Sequence, residues 1–218
     1  MKGAATVTKN GVSARSTYRH GDLRRALLDA GIALARDGGP DAVVLREATR
    51  RAGVVPNAAY RHFASRQELL LAVRAAALSA LAVAMEGELA GLRRRRSPAD
   101  MARARLRAIG TGYLRFAWAE PGLFRTAFTA SDDLPDTINR ETAGNSGLDP
   151  FQLLGAALDS MVEAGVLLPS RRSGAEYLAW SAVHGLAMLV IEGPLRRLAS
   201  AQVRTIGEHL LNMVEKGL

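Results

Sequence analysis

With 218 residues, 48% of them apolar, the chain is long enough and greasy enough to bury a real core as one large or two modest domains, which excludes a disordered protein. It has no cysteine, which excludes disulfides and Cys-ligated zinc and suits a reducing cytoplasm. The net charge of +8 is lopsided: residues 1–75 carry 13 Lys/Arg against 6 Asp/Glu (+7), residues 76–218 carry 16 against 15 (+1), and such a basic end is the footprint of a surface that meets phosphates.

Residues 1–18 are polar and unpatterned and read as a flexible tail; they lack the apolar stretch of a secretory signal. Lys2, Lys9 and Arg15 could add phosphate contacts from that tail. A first helix is expected over about 22–37, where Leu23, Leu27, Ala30, Gly31 and Leu34 form one apolar stripe between Asp22 and the stop Gly38-Gly39-Pro40.

Residues 45–63 (LREATRRAGVVPNAAYRHF) read as two short helices joined by a tight turn. Leu45, Ala48 and Ala52 share a face of the first, and Ala52 is small where two helices must approach. Gly53 supplies the positive φ of a sharp turn, and Val54 can plug the gap between the helices. Pro56 suits the first turn of the second helix. Ala59 and Phe63 face inward, four residues apart, which leaves Asn57, Ala58, Arg61 and His62 pointing outward with Tyr60 at the edge. A set of this kind can bond phosphates and base edges, as in a helix-turn-helix; an ordinary helical hairpin with a solvated face is the alternative.

Ser65 and Glu68 form a capping box that opens a long Ala/Leu-rich helix reaching about Gly91. The arginine run 93–96 then breaks the pattern, either as a solvated hinge loop or as a patch that pairs with acidic groups or DNA. Ser97-Pro98 starts a helix that continues to Glu120 and stops at Pro121-Gly122. A short helix around 123–129 leads into a loop at 131–147, and Asp149-Pro150 starts another helix that stops near Gly165. Ser173 and Glu176 read as a second capping box, for a helix running to Gly193-Pro194, and the last helix occupies about 200–216.

The most apolar stretch, 177–191, is too short to cross a bilayer and contains His184, so no membrane partner is expected. No segment alternates with period two, so no sheet is expected. The fold class is therefore all-α with about nine helices: tail 1–18, a three-helix helix-turn-helix domain at 19–66, and a larger helical domain at 67–218.

The run from about 19 to 73 resembles the N-terminal domain of the TetR family of transcriptional repressors, on Ala52-Gly53-Val54, Pro56, Tyr60-Arg61-His62-Phe63, Ser65-Arg66 and Glu68-Leu69-Leu70. Trp180, His184 and Gly185 are similar to the Trp…His-Gly signature of one C-terminal subclass. The resemblance implies phosphate contacts from Tyr60, His62 and Arg66, base or backbone contacts from Asn57, Ala58 and Arg61, and a backbone contact from Arg46. Three sites depart from the pattern: Val55 replaces the usual Ser that caps the second helix, a loss of about 1 kcal/mol unless Asn57 compensates, Val44 stands where Thr often caps the first, and Ala48-Thr49 replaces a common Ile-Ala pair, which thins the core there.

The resemblance also implies a body that forms a homodimer and binds a small effector. The last two helices are apolar on more than one face, through Leu186, Ala187, Leu189, Val190 and Ile191, then Val203, Ile206, Leu210, Leu211 and Met213. A terminal pair of this kind is buried against a symmetry mate or in the chain's own core. Phe116, Trp118, Phe124, Phe128, Met161, Trp180 and Met188 are large side chains that either fill a core or line a binding cavity. His184 is either a packed, satisfied histidine or the polar contact of such a cavity.

His20, His62, His184 and His209 lie far apart without metal-ligand spacing, and there is no phosphate-cradling glycine loop or GxSxG elbow. No enzyme, cofactor or metal is implied. The expectation is a cytoplasmic, ligand-responsive regulator, a repressor, that binds a palindromic double-stranded DNA operator as a homodimer and is released by a small apolar or amphipathic effector. The alternatives are a DNA-binding regulator without an effector and a helical binding module or enzyme with a vestigial helix-turn-helix.

Overall fold

The computed structural model describes residues 23–93, 97–128 and 140–218. The tail with Lys2, Lys9 and Arg15, the start at Asp22, positions 94–96 of the arginine run and residues 129–139 lie outside the described residues.

Helix α1 (Leu23–Gly38) buries the expected stripe of Leu23, Leu27, Ala30, Gly31 and Leu34. Gly31 lets α4 come close, since a Cβ there would stand 2.7 Å from Val73 and 3.3 Å from Leu69. After a 3-10 turn at Pro40–Ala42, α2 (Leu45–Ala52) ends on Gly53, whose φ of 68° confirms the left-handed turn. Helix α3 (Pro56–Ala59) keeps regular geometry for one turn only. The chain then stays coiled because the Ala59 carbonyl accepts from both His62 and Phe63 at 2.9 Å. Phe63 and Ala59 are fully buried in one apolar cluster with Leu27, Val43 and Ala48. Burying a phenylalanine of this kind stabilises by about 2–3 kcal/mol, so packing rather than helix propensity holds α3 in place.

Helix α4 (Arg66–Ala90) starts at the capping box, with a shift: Ser65 Oγ accepts from the Glu68 amide at 3.1 Å, but the Glu68 carboxylate takes the Ala64 amide at 2.6 Å rather than that of Ser65. Among the described residues α4 is the one helix long and apolar enough to cross a membrane by length and composition. Its apolarity is spent on protein: Leu69, Leu70, Val73, Ala77, Leu81 and Met85 are buried in the apolar core, and α4 packs on α1, α5 (Pro98–Ala119), α6 (Pro121–Ala127) and α7 (Pro150–Glu163).

Helix α5 is the axis of the body. Ser97 caps it, accepting from the Asp100 amide at 3.1 Å. Gly112 lets its backbone approach that of α4, where a Cβ would stand 2.6 Å from Met85 Cα. Helix α5 stops before Pro121-Gly122 as expected, and the next helix begins at Pro121 itself rather than near 123, because proline suits the first helical position. Helix α7 opens with a full capping box between Asp149 and Gln152 and is followed by Gly165 at φ 68°.

The second expected capping box does not form. Gly174, at φ 76°, occupies the cap of α9 (Ala175–Ile191), so Ser173 lies one residue too early, and Glu176 turns instead to Arg172 at 2.5 Å. Arg172 closes α8 (Pro169–Arg172), a single turn not expected from sequence, which makes ten α-helices among the described residues instead of about nine. A 3-10 turn at Pro194–Arg197 leads into α10 (Ser200–Gly217). No strand occurs among the described residues. One apolar cluster runs from Leu23 to Leu211, and α4 belongs to the helix-turn-helix at its start and to the body beyond.

Candidate nucleic-acid interface and an aromatic box

The face around α2 and α3 carries its charge selectively. Of the α2 arginines, Arg50 is held by Glu47 at 2.6 and 2.9 Å, and Arg51 by Asp37 at 2.9 Å. The hydrogen bond from Arg50 keeps the Glu47 carboxyl below the usual carboxylate range. Arg46, exposed, has no ion-pair partner among the described residues, nor has Arg61, exposed just after α3. Asn57 is exposed and Tyr60 is 57% exposed, while His62 is half-buried. Ala58, expected to point outward, is half-buried and packs against the apolar core, since a small apolar side chain in a helix of one turn gains more there than in water.

Neither Val44 nor Val55 caps its helix with a side chain, as the departures from the family pattern imply. Arg66 has an unexpected engagement: its Nε donates to the Val43 carbonyl and a terminal nitrogen to the Pro40 carbonyl, both at 2.8 Å. It ties the start of α4 to the loop before α2. Arg24, on α1, lies 5.1 Å over the Phe63 ring, a cation–π contact that sequence spacing did not single out.

In the body, side chains from α5, α6 and α9 converge. Trp180 Nε1 donates to the Tyr113 hydroxyl at 3.0 Å, and that hydroxyl lies 2.8 Å from His184 Nδ1. A phenol that accepts from Trp180 still has its own proton to give, and Nδ1 of His184 is placed to take it. Burial pushes the phenol far above its usual value of 10 and the imidazole below its usual 6.5, so Tyr113 keeps its proton and the charged form of His184 is disfavoured.

Phe128 packs 4.8 Å from the His184 ring and 5.9 Å from Trp180, and Phe124 lies 5.4 Å from Tyr113 and 5.6 Å from His184. Phe124, Phe128, Trp180 and His184 therefore meet as expected. Tyr113, which makes the box a hydrogen-bonded unit, was not foreseen. Phe116 and Met161, 8% and 1% exposed, are buried in the apolar core, and Phe116 stacks with none of these rings among the described residues. Trp118 packs elsewhere, 2.9 Å from where a Cβ on Gly207 would stand.

Family comparison joins the two ends of the chain. Residues 27–73 match the bacterial regulatory proteins of the tetR family, and residues 106–214 match the tetracyclin repressor-like C-terminal domain. The chain belongs to the TetR family of transcriptional regulators. A TetR regulator is a DNA-binding protein, and the helix-turn-helix at α2–α3 is its DNA-binding element. The curated proteins searched contain no match. A protein of unknown function from Rhodococcus sp. RHA1 is similar over 94% of this chain and 99% of its own, at 26% identity and a TM-score of 0.72. FadR from Bacillus subtilis, solved in complex with stearoyl-CoA, shares the fold at 12% identity and a TM-score of 0.64, over 89% of this chain and 98% of its own. PfmR from Thermus thermophilus, a TetR family regulator, does so at 20% and 0.55, over 89% and 95%.

Within this TetR chain the residues expected at a dimer interface divide by burial. Ala187, Val203 and Leu211 are 0%, 6% and 8% exposed, so they face the chain's own core, and Leu211 lies over Gly110 of α5. They are corrected to core residues, because a helix apolar on two faces buries one of them internally. Val190, Ile191, Ile206 and Leu210 are half-buried, and Met213 is 60% exposed. The open apolar side chains of α9 are Tyr177, Leu178 and Leu189.

Proposed function

We propose that this TetR regulator is a ligand-responsive repressor acting on DNA in the cytoplasm. It binds a palindromic operator as a homodimer, with half-sites about one helical turn apart, and a small apolar or amphipathic effector releases it. The grip uses Arg46, Asn57, Tyr60, Arg61 and His62, with Ala58 at close range and Arg66 able to reach a phosphate only with the guanidinium nitrogen its two carbonyl bonds do not use. Dimer contact comes from the open and half-open faces of α9 and α10, and the effector enters at the aromatic box.

The observation that carries the reading is that one short helix serves both ends. From its middle α6 supplies Phe124 to the box, and Phe128 follows at its C-cap. At its near end Gly122 is pressed on the carbonyl end of α1, where a Cβ would meet the Ala35 and Arg36 oxygens, and Arg36 pairs with Glu120 at 3.1 Å. A ligand that spreads Phe124 from His184 must move α6, and α1 with it. The change in operator affinity cannot exceed the effector's preference between the two states, so a 100-fold release needs about 2.8 kcal/mol of differential binding.

The test starts from an operator selected out of randomised duplexes, followed by a screen of apolar aromatic compounds for release of that duplex. A compound that releases the wild type and not Phe128→Ala supports the reading. Equal release from both places the effector elsewhere, and sedimentation of the complex as one protomer per operator overturns the dimer.

A further inference from the structure

Val55 is the most open large apolar side chain among the described residues, at 69% exposure. It sits immediately before α3, in a segment that otherwise presents Pro56, Asn57, Tyr60 and Arg61, and it makes no cap for the helix. An isolated exposed valine on a neutral surface asks for no explanation. Here the surroundings are those of a DNA-facing surface, basic overall, with Arg46 and Arg61 unpaired among the described residues. In that setting a polar side chain at position 55 would gain a phosphate or an amide, and valine can gain neither.

The floor of the major groove offers one apolar group, the C5 methyl of thymine, and it is read by the first residues of a recognition helix. We infer that Val55 is a specificity residue, its γ-methyls packed on a thymine methyl in each half-site of the operator. The inference rests on the reading that α3 enters the major groove of two half-sites. Val44, 42% exposed, precedes the helix that crosses the backbone and is not part of it.

Replacing thymine by deoxyuracil removes that methyl and nothing else. On the selected operator, the full-length protein is expected to lose about fourfold in affinity per half-site at one symmetry-related thymine, about 15-fold when both are replaced. Fourfold is the value of one methyl taken out of water, ~0.8 kcal/mol. Val55→Ser, which keeps the fold and supplies a helix cap, is expected to bind the thymine and deoxyuracil duplexes equally, whereas Val55→Thr, with one methyl left, keeps part of the difference. A flat deoxyuracil series in the wild type, as a valine lying on deoxyribose would give, overturns the assignment. So does an undiminished series in Val55→Ser. A selection that returns no operator overturns the operator reading and this inference with it, whereas the other two failures leave operator binding intact.

Discussion

Arg66 and the Val43 carbonyl are joined across 2.8 Å, and the same guanidinium reaches the Pro40 carbonyl at 2.8 Å, so the first residue of α4 clamps the loop that precedes α2. The planar fork makes both bonds at once, which an ammonium on a flexible stem does poorly. Arg66→Lys is therefore expected to lower stability by about 1–2 kcal/mol in urea unfolding. Operator affinity falls alongside, because α2 loses its support. A variant as stable as wild type that still binds operator poorly would make Arg66 a DNA contact first and a clamp second.

Arg61 and Tyr60 separate by salt. Removing a charged phosphate contact reduces the slope of log affinity against log salt by about 0.9 per phosphate. Arg61→Ala is expected to flatten the slope by about 1 per half-site. Tyr60→Phe removes a neutral donor, so it should weaken binding about fivefold while the slope stays put. Filter-binding titrations over a salt series distinguish the two, and an unchanged slope in Arg61→Ala would move that side chain off the phosphates.

The aromatic box has its own signature. Tyr113→Phe strands Trp180 Nε1 and His184 Nδ1, both of which depend on the one hydroxyl, and is expected to cost about 1–3 kcal/mol. The pH dependence follows from His184. Its folded pKa lies below the unfolded value of 6.5, so in acid the unfolded chain binds more protons than the folded one. Stability is then full above about pH 6.5, falls as the pH drops below it, and stops falling once the folded pKa is passed. His184→Asn, whose amide oxygen can stand where Nδ1 accepts, should remove this part of the acid loss in thermal melts between pH 7 and 5. An identical profile in the variant would show that His184 titrates alike in the folded and unfolded chain, and a profile that loses stability faster in acid would show that the folded state favours its charged form.

The two faces of the terminal helices predict opposite phenotypes. Leu189 is 44% exposed and Leu211 8% exposed. Leu189→Asp is expected to give well-folded monomers with poor operator affinity, seen by sedimentation. Leu211→Ala should instead lose about 2–5 kcal/mol of chain stability while the dimer persists at temperatures where it folds. A dimer that survives Leu189→Asp and Met213→Asp together would place the interface on other helices.

Much of this molecule was legible along the chain because its signals are local. Ser65, Gly53 and Pro56 each act within a turn and do what their spacing implies, and Glu68 misses by one residue, on the Ala64 amide, whereas Ser173 fails because Gly174 in left-handed geometry takes the cap one residue later. Tyr113 was hidden for the opposite reason. Its partner His184 is 71 positions away, and no periodicity tells a phenol on one helix which imidazole will face it. A buried tyrosine needs a partner, and that general rule is the one signal that could have flagged it. The apolar surplus of α9 and α10 was visible, but not which face points inward, since that depends on Gly110 of α5 admitting Leu211.

Helix α3 is a single turn, held from behind by buried Ala59 and Phe63 and from the side by the Arg66 clamp, while positions 55, 57 and 61 stand outside that support. The residues that hold the turn are thus not the ones it exposes. A lineage can change the exposed positions one at a time without passing through an unfolded protein, so the surface this turn presents is free to vary while its seat is kept.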